Sequence, residues 1–97
     1  MKIALFLNDV RLKALHVNAL SVKIISISNN EIEGVEDHSL YSKDLNYISL
    51  WLIRREVNVI YLHNADDDIR AFFNRIGVEV KIFEDLAEDP ILRFFLL

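Results

Sequence analysis

NVIYLHNADDDIRAFFNRIGVEVKIFED, residues 58–85, decides the fold. Asn58 to Leu62 is a short, almost wholly apolar run rich in β-branched and aromatic residues, the composition of a strand covered on both faces. After His63, Asn64 is expected to cap a helix whose first turn carries Asp66, Asp67 and Asp68, acids favoured at the positive end of the helix dipole. Ile69, Phe72, Phe73 and Ile76 recur at the spacing of one buried helical stripe. Gly77 stands where a helix ends in a left-handed residue, and Val78, Val80 and Ile82 then alternate with Glu79 and Lys81 as a second strand. A strand, a crossover helix and a strand in so short a span make a βαβ unit with parallel strands. Ligands of such sheets sit beyond the carboxyl ends of the strands, so attention falls on the residues after Leu62.

Working outward, Ile3 to Leu7 is a continuous apolar run and reads as a central strand. Residues 9–21 leave helix and packed loop both open. Val22 to Ser28 is a strand of mixed polarity, and Asn29-Asn30 forms a two-residue hairpin turn, since asparagine tolerates positive φ. Glu31 to His38 returns as an edge strand, with Glu31, Glu33, Glu36 and Asp37 discouraging further pairing. Ser42 is a candidate cap for a helix with Leu45, Ile48, Ser49 and Leu52 on one stripe, broadened by Tyr47, Trp51 and Ile53. Arg54 and Arg55 occupy its last turn. Glu84-Asp85 ends the last strand, and Asp89-Pro90 begins a short helix that runs into Phe94, Phe95, Leu96 and Leu97.

The expected fold is therefore α/β and three-layered, a five-stranded mixed sheet of order 3-2-1-4-5 with strand 2 antiparallel and helices flanking it. This is the ribonuclease H-like topology. Ninety-seven residues, 53% hydrophobic with two glycines and one proline, suit a single domain over residues 1–97 with a dense core and short loops. The absence of cysteine excludes disulfides and thiolate metal ligands. The apolar run after Met1 is too short for a signal peptide or membrane span, which predicts a cytoplasmic protein without membrane contact. A net charge of −4 argues against nucleic-acid binding.

Several stretches resemble the dinitrogenase iron–molybdenum cofactor biosynthesis family. They are MKIALFLND, the later His16, the hairpin KIISISNNEIEGVE, the helix LNYISLWLIRREV, the strand NVIYLHN and IRAFFNRIGVEVKIFEDLAED. The sharpest is IRAFFNRIGVEV, similar to that family's arginine-bearing helix followed by Gly, a hydrophobic residue and a strand. The resemblance implies a non-enzymatic carrier of an iron–sulfur or iron–molybdenum type cluster. Two departures bear on the site. His16-Val17-Asn18-Ala19 replaces a His-Phe-Gly-Arg-like motif, and His63-Asn64-Ala65-Asp66 replaces a glycine-bearing turn.

The expected site lies at the ends of strands one and four. Asn8, His16, His63 and Asn64 would form it, with His16 and His63 as metal ligands and Arg70 reaching an anionic group. The plainer reading of each histidine is hydrogen-bonded structure, and of Arg70 a solvated flank of the helix stripe. His38, on the edge side, is a weaker ligand candidate. One alternative is a domain that keeps the fold without a cluster and acts through protein contact. Trp51 and the segment Phe94–Leu97 then form a homodimer interface. A second alternative is a magnesium-dependent ribonuclease H-like nuclease with Asp9 and Asp66 as metal ligands; a turn residue and a helix-start acid are their bland equivalents.

Overall fold

The computed structural model describes residues 1–7, 20–41 and 44–93. Five strands form one mixed sheet: β1 (Lys2–Phe6), β2 (Leu20–Ser28), β3 (Glu31–Leu40), β4 (Val59–Leu62) and β5 (Glu79–Ile82). Their order is β3-β2-β1-β4-β5, as expected from the sequence. β2 runs antiparallel to β1 and β3, whereas β1–β4 and β4–β5 are parallel. Among the described residues three helices flank the sheet: α1 (Leu45–Arg54), α2 (Asp67–Asn74) and α3 (Phe83–Leu86).

Alternation along β1 divides the core. Ala4 and Phe6 face α1 and α2, where they join Ile24, Ile60, Ile48, Trp51, Leu52 and Phe73. Ile3 and Leu5 face the other way, onto Ile25, Val59, Tyr61, Leu86 and Leu92. Each fully buried side chain of this kind contributes about 1.5–3 kcal/mol through removal from water. All four residues of β4 are buried, because both layers press on it.

The turn chemistry follows the sequence closely. Asn29 and Asn30 take φ of 52° and 62° in the hairpin, and Gly77 takes φ of 81° after α2. A third left-handed residue, Glu56 at φ 56°, redirects the chain from α1 into β4.

Four expectations need correction. Asp44, not Ser42, caps α1: its carboxylate accepts from Asn46 N at 2.8 Å. Asp66, not Asn64, caps α2 and accepts from Ile69 N at 2.9 Å, which leaves Asp67 and Asp68 in the first turn. The wide stripe on α1 is narrower than its composition implies. Ile48, Ser49, Trp51 and Leu52 are buried, whereas Tyr47 and Ile53 are exposed by 45% and 48%. Residues 83–86 do not merely end β5; they form α3, and Asp89 then caps a tight turn by accepting from Ile91 N and Leu92 N at 2.8 and 2.9 Å. The remainder of the expected C-terminal helix lies outside the described residues.

Candidate functional site

β1 and β4 are parallel neighbours, so Leu7 and His63 leave the sheet side by side on one rim. His63 is exposed there, yet its ring is held from two directions. Nε2 lies 3.0 Å from the Leu7 carbonyl oxygen. A carbonyl only accepts, so Nε2 is the donor in this contact, and in the neutral ring Nδ1 then carries the lone pair. The ring also stacks on Phe83 at 4.7 Å between centroids and 23° between planes. An imidazole whose far nitrogen donates to a backbone carbonyl is oriented as protein metal ligands usually are.

The other expected site residues fall into two groups. Asn8, Asp9 and His16 lie outside the described residues, so the described part of the rim contains His63 and Asn64, both exposed. Arg70 is half-buried, and its guanidinium turns to the sheet edge, where Nη1 donates to the Val80 carbonyl at 2.8 Å. Asp66 is engaged as the α2 cap. His38 projects toward α1, where its ring meets Trp51 edge-on at 5.4 Å. Its Nε2 is 4.0 Å from a Glu36 carboxylate oxygen and makes no hydrogen bond with a described residue.

A cluster of iron and sulfur takes several thiolate or imidazole ligands. The chain has no cysteine, and among the described residues no group of three or more His, Asp or Glu side chains is arranged to hold a metal. The described rim therefore fits one imidazole contact to a ligand and does not fit a cage around a cluster.

A second concave feature went unnoticed in the sequence. Between β5 and the turn after α3 lies an open cleft of about 510 Å³, lined in part by Tyr61, Lys81, Asp85 and Asp89. Tyr61 reads as one more core residue of β4. The only sequence signal for another role is its hydroxyl, a polar atom that an otherwise apolar strand must point somewhere wet or hydrogen-bonded.

No family model matches the chain, and no curated protein matches it. Among solved structures, it is similar to the crystal structure of PH0822, with a TM-score of 0.60 and 12% sequence identity over 84% of this chain and 76% of that one. At that identity the likeness shows the α/β fold alone. No described helix is long and apolar enough to cross a membrane.

Proposed function

We propose that this chain is a non-enzymatic binding domain whose ligand seats on the rim where β1 and β4 end, with His63 as its protein contact. One observation carries the reading: the exposed His63 ring is fixed by the Leu7 carbonyl and by Phe83, with Nδ1 left to accept or coordinate. Fixing a solvent-facing ring in this way lowers the entropy lost when it engages a partner. The ligand is a metal-containing species that brings most of its own donors, because the described part of the rim offers it a single imidazole. The engagement of Asp66 as a helix cap supports coordination over magnesium-dependent hydrolysis.

The test is an anaerobic titration of untagged protein with iron(II) and, separately, zinc(II), followed through the ring nitrogens of His63 by long-range proton–nitrogen correlation. Nδ1 of His63 should shift on metal addition, and His63→Ala should abolish uptake. An unmoved Nδ1 with both metals, or equal uptake by His63→Ala, refutes the proposal.

The second reading, a protein-contact module, is supported by the outer face of α1, where Tyr47, Leu50 and Ile53 are exposed by 45%, 60% and 48%. These residues take the place of Trp51 in that reading. The Trp51 ring is 9% exposed and lies under the Arg55 guanidinium at 4.3 Å. Phe94–Leu97 lies outside the described residues. Concentration-dependent sedimentation that Leu50→Glu removes is the outcome expected of it.

A further inference from the structure

The cleft beside β5 joins three observations that the rim does not use. Tyr61 is 1% exposed and lines the cleft together with Asp89, Asp85 and Glu79. Burial first, and then these carboxylates, push its pKa up to about 12, so it remains protonated throughout the physiological range. Four carboxylates line the cleft, those of Glu79, Asp85, Glu88 and Asp89, and none has an ion-pair partner among the described residues.

The cations present do not neutralise them. Arg70 is committed to the Val80 carbonyl. The Lys81 ammonium sits 5.9 Å over the Tyr61 ring. Two of the acids are half-engaged by backbone: Asp85 Oδ2 accepts from Ile82 N, and Asp89 Oδ1 accepts from Ile91 N and Leu92 N. Their second oxygens, and both oxygens of the exposed Glu79 and Glu88, have no partner among the described residues.

We propose that this cleft binds a small organic ammonium, with the Tyr61 hydroxyl and the flanking carboxylates as its acceptors. A primary ammonium has three donors and no acceptor, which complements a lining whose four carboxylates and one phenol outnumber its two cations, Arg70 and Lys81. A bare metal ion is a poorer fit, because no three acidic or histidine side chains converge. An anion is poorer still, since carboxylates outnumber the cations two to one. The volume of about 510 Å³ accommodates a short alkyl diamine with water to spare. The cleft opens along the β5 edge and is separate from the His63 rim, so the two proposals stand or fall independently.

The probe is 1,4-diaminobutane, titrated into the full chain at constant ionic strength with 1,4-butanediol as its neutral counterpart. Backbone amides of residues 79–89 and the labelled Tyr61 ring report binding. Saturable shifts with the diamine and none with the diol are expected. Tyr61→Phe removes only the hydroxyl and should weaken binding about tenfold, the usual cost of a lost hydrogen bond to a charged group. Glu79→Gln combined with Glu88→Gln changes two exposed side chains and should weaken it by a similar factor. Shifts that sodium chloride or the diol reproduces overturn the proposal. So does unchanged affinity in the double glutamine variant or in a folded Tyr61→Phe.

Discussion

The two edges of the sheet solve one problem differently. β3 is ten residues long and exposed over most of its length, including the acidic side chains Glu31, Glu33, Glu36 and Asp37. β5 is four residues long and carries no comparable charge run. In a parallel pair, alternate residues turn both backbone groups outward; because Glu79 N donates inward to Asn58 O, the outward residues of β5 are Val80 and Ile82. Side chains occupy these positions: Arg70 donates to the Val80 carbonyl and Asp85 accepts from the Ile82 amide. Length decides between the two devices. A short edge has few outward groups, and at each outward residue of β5 one of them receives a strap, whereas a long edge has too many and repels its neighbours by charge.

This contrast can be broken from either side. The largest effect is expected at the β5 strap. Arg70→Ala leaves the half-buried edge carbonyl without its charged donor and should lower stability by about 1–3 kcal/mol, read as an earlier urea midpoint with unchanged slope. Asp85→Ala frees the Ile82 amide at a more exposed place and should cost about 1 kcal/mol in the same assay. At the other edge, Lys23 and Asp37 form an ion pair at 2.7 Å with Asp37 side-chain exposure of 77%. Lys23→Ala should therefore cost well under about 1 kcal/mol, and less again in salt. Replacing Glu31, Glu33 and Glu36 together by glutamine should change stability by less than about 0.5 kcal/mol. That variant should instead self-associate in size-exclusion chromatography, as the β5 variants should only if the freed edge pairs. A triple variant that stays monomeric removes charge as the protection of β3.

The sequence displayed what depends on periodicity. Alternation in Val78–Ile82, the β4 run and the left-handed Asn29, Asn30 and Gly77 lead directly to strand order and turns. Helix starts were harder to read. Asn64 and Asp66 cap about equally well by residue type. What separates them is register: the Asp66 carboxylate reaches the amide of Ile69, three residues on. The helical turn at Phe83–Leu86 is too short to have a period of its own, and its acidic centre reads equally well as the end of a strand. The exposure of Tyr47 and Ile53 depends on the angle at which α1 meets the sheet, which composition does not encode.

The candidate site shows the same divide. His63 was legible as a histidine after a strand. Its clamp was not, because the Leu7 carbonyl is 56 positions away and Phe83 belongs to an element the pattern hid. Tyr61 looked like packing alone, since only the fold brings Asp85 and Asp89 into the same cleft.

The central place of β1 has a consequence for how the molecule assembles. One flank zips to β2, the nearer strand of a hairpin whose own closure is fast. The other flank waits for β4, with Ile3 opposite Val59, 56 residues further on. Joining those partners closes a long loop, a step that contact order predicts to be slow. Until it happens, an aliphatic ribbon lies half-dressed, and it is then, before the native state exists, that the chain is most open to capture by its own kind.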